Sequence, residues 1–159
     1  MNAATALLGN SVKKDIIFLD VDALQHGKFH IELDRHFTVV SDDSGTGKSL
    51  LCEIIKNRKR NRIRVESSLP LRIVNEISDL SSIKEKSLIL MDENADCVID
   101  NAKELQQIIN SSDNVFLLFI RDDAFPKISY SVDDVKVFRK SNHKITLANK
   151  YPIFYVKES

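Results

Sequence analysis

The chain is expected to fold as an α/β domain, a three-layer sandwich on a mainly parallel sheet, with antiparallel strands added at an N-terminal hairpin and a C-terminal tail. Three observations predict it. Short continuously apolar runs, FTVV (Phe37 to Val40), SLILM (Ser87 to Met91) and VFLLFI (Val115 to Ile120), read as strands covered on both faces. Stretches with helical spacing separate them, as right-handed crossovers between parallel strands require. With 159 residues, 43% of them hydrophobic, the chain is long enough for one core covered on two sides.

Residues 1 to 14 have no clear period and read as a loose arm, leaving a single domain over 15–159. IIFLDV (Ile16 to Val21) is a β-branched and aromatic strand. Gln25 to Lys28, with Gly27, makes its turn. In KFHIEL, Phe29, Ile31 and Leu33 alternate with His30, Glu32 and Asp34, so the second strand has one wet face.

FTVV runs directly into SDDSGTGKS and then the helical pattern SLLCEIIK. IRV (Ile63 to Val65) is a short strand, and Leu71, Val74, Ile77 and Leu80 have the spacing of a crossover helix. A helix from about Asn101 to Asn110 precedes VFLLFI, and DVKVFRK with HKITLANKY around Ser141 and Asn142 forms a last hairpin. Ligands of such sheets bind at the carboxyl ends of the strands.

Lysine and arginine balance aspartate and glutamate, so no global field recruits nucleic acid or an anionic membrane. No apolar run approaches the roughly 20 residues that span a bilayer, which predicts no membrane partner and a cytoplasmic location. Cys52 and Cys97 lack both metal spacing and the density of a disulfide scaffold and read as reduced core residues. His26, His30, His36 and His143 are scattered, without zinc spacing. No triad signature surrounds Ser41, Ser44 or Cys52.

The segment Asp42 to Ser49 matches G-x-x-x-x-G-K-[ST] at every position but the first, where Asp42 replaces glycine. Gly45 and Gly47 supply the freedom that lets backbone N–H groups of Asp43, Ser44, Gly45, Thr46, Gly47, Lys48, Ser49 and Leu50 turn toward a phosphate at a helix N-terminus. Lys48 would lie between the β and γ phosphates of ATP, and the Ser49 hydroxyl would bind Mg²⁺. Asp42 and Asp43 bring negative charge to the same place, which weakens affinity.

SLILMDE has the form of a Walker B strand. Asp92 would hold Mg²⁺, through water, and Glu93 would polarise the attacking water. Arg121, at the end of VFLLFI, stands where a γ-phosphate sensor belongs, although pairing with Asp122 at the surface explains it equally well.

On these two segments, and on FHIELDRHFTVVSDDSGTGKSLL, the chain resembles the additional-strand, catalytic-glutamate class of P-loop NTPases, as a minimal ABC or RecF-type ATPase domain with a degenerate Walker A. The resemblance implies a P-loop NTPase-like fold, ATP and Mg²⁺ as cofactors, and a weak ATPase that drives a conformational switch. A glycine-containing signature segment and a switch histidine are missing, so a composite sandwich dimer is not implied.

Two other readings remain. One is a non-hydrolysing pseudo-ATPase that binds protein or nucleic acid through the basic run KNRKRNRIR (Lys56 to Arg64), which is otherwise a set of cations at a helix C-terminus. The other is a small-molecule kinase, ranked lower because Asp92 and Glu93 suit water activation and no arginine-rich lid is evident.

Overall fold

The computed structural model describes residues 16–24, 27–42, 48–60, 62–121 and 126–151, and the backbone alone at Asp42 and Lys48–Leu50. The expected arm at 1–14 lies outside these residues. In chain order the elements are β1 (Ile17–Asp22), β2 (Lys28–Leu33), β3 (Phe37–Asp42), α1 (Lys48–Lys56), β4 (Arg64–Ser67) and β5 (Leu71–Ile73). There follow α2 (Ile77–Ser81), β6 (Leu88–Asp92), α3 (Asp96–Ile99), α4 (Ala102–Ser111), β7 (Val115–Arg121), β8 (Val135–Ser141) and β9 (Lys144–Asn149).

All nine strands join one sheet in the order β4-β1-β2-β9-β8-β3-β7-β6-β5. β5, β6, β7, β3 and β8 run parallel. β8 and β9, β1 and β2, and β1 and β4 are antiparallel, while β2 and β9 are parallel. The pairing is therefore mixed, with 41% strand against 24% helix, and the sheet curls into a nearly closed barrel.

The curl follows from what α1 must bury. Leu51, Cys52, Ile54 and Ile55 are the apolar face of that helix, and all four are buried. They share one core with Leu19, Phe29 and Ile31 from one end of the sheet and with Leu88, Leu117 and Phe119 from the other. Strands far apart in sheet order can meet on one helix only if the sheet wraps around it. The opposite face of β3, β6 and β7 packs Val39, Ile89, Met91, Phe116 and Leu118 against Cys97, Val98, Leu105 and Ile109 of α3 and α4.

Two tight turns set the hairpins. Gly27, at φ 97°, donates its N–H to the Leu24 carbonyl at 3.2 Å and closes the β1–β2 turn. Asn142 and His143, at φ 50° and 64°, adopt the paired left-handed conformations of a two-residue hairpin turn between β8 and β9.

These findings correct two expectations. The three-layer sandwich on a mainly parallel sheet is replaced by the mixed, curled sheet. The antiparallel hairpin of the tail, β8 and β9, inserts between β2 and β3 and joins the two halves of the sheet. The resemblance to additional-strand, catalytic-glutamate P-loop NTPases and to a minimal ABC or RecF-type domain falls with the fold class, because that class requires a parallel sheet. The physical reason is that the three apolar runs, which do lie parallel, are only three of nine strands, and the pairing of the half-wet strands β1, β2, β4, β8 and β9 leaves no trace in their own periodicity.

Leu71, Val74, Ile77 and Leu80 do not form one helix either. Leu71–Ile73 is an edge strand paired with Leu88–Leu90, and helix begins only at Ile77. Pairing to the buried strand β6 outweighs a local spacing that fits a helix.

Candidate functional site

Because β3, β7 and β6 are adjacent and parallel, their carboxyl ends share one rim of the sheet. Asp42 is in register with Arg121, and Asp92 with Phe119. β3 ends at Asp42, and α1 begins at Lys48. Asp43, Ser44, Gly45, Thr46 and Gly47 lie outside the described residues, as do the side chains of Asp42, Lys48, Ser49 and Leu50. The strand before them and the backbone of the helix after them are described.

Glu93 sits just beyond β6. Its N–H donates to the Phe119 carbonyl at 2.9 Å, which extends the β6–β7 ladder and fixes where the side chain emerges. The carboxylate, only 14% exposed, is held by Arg121 Nε at 3.0 Å, whose own side chain is 58% exposed. The structure thus pairs Arg121 with Glu93, the residue expected to activate water.

Asp92 is half-buried, and its Oδ1 accepts the Asn94 N–H at 2.8 Å. It borders a cleft of about 240 Å³ together with Cys52 and Lys56 of α1, Asn75 and Asp79. Cys52 lies one helical turn beyond Ser49, so the cleft runs from the Asp92 carboxylate along the flank of α1. Burial, and after it the nearby Asp92 charge, push the Cys52 thiol up to about 12. A thiol held protonated in this way is a packing group and no nucleophile.

Three participants are absent from the sequence-based expectations. Asn75, after β5, accepts the Asp96 N–H and donates to the Asp96 carboxylate, each at 3.2 Å, pinning α3 beside the site. Asp79 accepts the N–H groups of Asn75 at 3.3 Å and Glu76 at 3.0 Å. Lys150, just after β9, donates from Nζ to the buried Ser41 Oγ at 3.1 Å, bringing the tail to the strand residue that precedes the loop. The Asn75 and Lys150 contacts, separated by 21 and 109 positions, leave no local pattern to read, whereas Asp79 caps its own helix from three and four positions away.

The basic run is split by its backbone. Arg58 turns inward to donate to the Ile55 carbonyl at 3.1 Å and so caps α1. Lys56, Lys59, Arg60, Arg62 and Arg64 are exposed. Among the described residues no helix is long and apolar enough to cross a membrane. No group of three or more histidine, cysteine, aspartate and glutamate residues among them forms a metal cage.

No protein-family model matches this chain, and no curated protein does. Among solved structures it is similar to one described as a model of ribosome-bound archaeal Pelota and ABCE1, at 10% identity and a TM-score of 0.46. That match covers 86% of this chain and 34% of the other.

Proposed function

We propose that this chain binds a nucleoside triphosphate with Mg²⁺ at the rim formed by the ends of β3, β7 and β6. The observation that supports the reading is that β3, which ends at Asp42 before α1 begins at Lys48, neighbours β7 and through it β6, which ends at Asp92 just before Glu93. The backbone of 43–50 would receive the phosphates at the N-terminus of α1. Lys48 would neutralise the β and γ phosphates. Ser49 and Asp92 would be the protein ligands of a Mg²⁺ ion that keeps most of its coordination for water and phosphate, so a dedicated cage is not required.

Titration calorimetry with ATP and a non-hydrolysable analogue, with and without Mg²⁺, tests the proposal beside Lys48→Ala. Magnesium-dependent binding that disappears in Lys48→Ala supports it. Absence of binding at millimolar nucleotide refutes it.

A second reading, binding without turnover, is favoured by one contact. Glu93 can orient or deprotonate water only with its carboxylate available, and Arg121 occupies it at 3.0 Å. In that reading the domain is a binding module whose partner, protein or nucleic acid, meets the exposed part of Lys56 to Arg64. Phosphate release that Glu93→Gln leaves unchanged at background supports this reading. Release abolished by Glu93→Gln supports slow hydrolysis.

A further inference from the structure

The partner half of that second reading can be made more specific by a cleft at the ends of β1, β2, β4 and the β8–β9 hairpin. Strand pairing places Arg64 beside Asp22, Asp22 beside Lys28, and Lys28 beside Lys144. With neighbouring strands about 4.8 Å apart, Lys28 and Lys144 stand about 5 Å from each other and Arg64 about 10 Å from Lys28. All three side chains are exposed. They line a cleft of about 760 Å³ with Lys140 and His143 from the β8–β9 hairpin end. Exposed Arg60 and Arg62 lead into it from α1.

β2 and β9 pair only at Lys28–Lys144 and Phe29–Ile145. A second cleft, of about 930 Å³, follows from there. It shares His30 and Lys144 with the first and adds Lys86 and Lys136. The two are continuous through His30 and Lys144 and make a groove that follows β2, about 20 Å long for its six residues. A single small anion would need one focus of charge, whereas these cations are spread along the whole length.

Carboxylates also face the groove, and most are engaged. Asp20 and Glu32 both contact the His30 ring, Glu32 at 2.9 Å. Asp22 accepts the Leu24 N–H at 3.2 Å. Glu66 and Asp34 are exposed on its walls.

We infer that this groove binds the phosphate backbone of a nucleic acid, with Arg64, Lys28 and Lys144 as its central contacts and Lys140, Lys136 and Lys86 along its length. Described aromatic side chains on the groove are limited to the buried Phe29, so recognition is electrostatic and independent of base sequence. The inference rests on the partner reading above for Arg60 and Arg62 and extends it to this groove.

Fluorescence anisotropy with a labelled 20-mer duplex DNA and a labelled 20-mer RNA, at 50–200 mM salt, tests it. The full chain should bind at least one, with affinity falling as salt rises. Lys28→Gln/Arg64→Gln/Lys144→Gln should weaken binding at least tenfold and lower the salt slope by about one per cation removed. Lys28→Gln/Lys144→Gln, which spares the basic run, should account for most of the loss. Lys103→Gln, on α4, should leave binding unchanged.

Three results overturn the inference: no binding of either polymer at 50 mM salt, wild-type affinity in the triple variant, or loss confined to Arg60→Gln/Arg62→Gln. The last would leave the basic-run reading standing and remove the groove from it. Thermal melting of each variant identifies any that fails to fold, and the single substitutions Lys28→Gln and Lys144→Gln then carry the same comparison.

Discussion

The ring of Phe138 stacks on that of Phe119, with centroids 6.4 Å apart and planes at 26°. The same ring meets Phe29 edge-on at 5.7 Å. Phe138 belongs to the tail hairpin, Phe119 to the parallel half of the sheet and Phe29 to the opening hairpin. One side chain near the end of the chain therefore bridges the two halves inside the curl.

Replacing Phe138 with alanine should cost about 3 kcal/mol, since the cavity opens where both halves meet. Phe138→Leu keeps most of the volume and should cost about 1 kcal/mol. Urea denaturation measures both. Equal, small losses would show that the tail only decorates a fold already complete without it.

The Glu93–Arg121 ion pair should contribute little to stability, because water screens the half-exposed guanidinium. Arg121→Ala should shift unfolding by no more than about 1 kcal/mol. Its effect should appear in chemistry instead: any Mg·ATP hydrolysis should rise when Glu93 is released, as read by phosphate release. A rate that falls in Arg121→Ala would assign the arginine to the phosphates.

His30 has its pKa raised, first by the hydrogen bond to Glu32 and then by that to Asp20. A raised folded-state value means that this stabilisation is fully present below the unfolded value of about 6.5 and is lost as pH rises through the folded value. The wild type should therefore lose stability relative to His30→Gln between about pH 6 and pH 8, measured as denaturation midpoints. A constant difference across that range would contradict the triad geometry.

Asp134 behaves oppositely. Burial opposes ionisation there, but the Ser131 N–H and Arg35, at 2.8 Å, outweigh it and lower the pKa. Its contribution is present above the ordinary carboxylate range and lost as pH falls through the lowered value. Arg35→Ala should make acid unfolding begin at higher pH, which a circular-dichroism titration would detect.

Burial also pushes the thiols of Cys52 and Cys97 up, to about 12 and about 11. Iodoacetamide at pH 8 should label neither in the folded protein within the time that labels both in urea, as read by intact mass. Rapid labelling of Cys52 in the native state would mean that the cleft beside Asp92 opens to reagents.

Much of the local structure was legible in the residues. The apolar runs at Phe37, Leu88 and Val115 are strands because only burial suits them, and alternation in KFHIEL correctly assigns Phe29, Ile31 and Leu33 to the core. The helix start near Lys48 and the acidic strand end at Asp92 were likewise local signals. Strand direction and neighbourhood were not local. Insertion of β8 and β9 between β2 and β3, the conversion of Leu71–Ile73 to an edge strand, and the curl around α1 depend on pairings between residues that in β2 and β9 are more than a hundred positions apart.

Side-chain partners divide in the same way. Glu93 and Arg121 were each visible as candidates, but their contact follows from the β6–β7 register, and Lys150 at Ser41 follows from where the tail is threaded. Periodicity records which residues leave water, since that is a property of each side chain. Which strands then hydrogen-bond is decided by the whole chain at once, because several pairings bury the same residues and only their joint packing on α1 selects one.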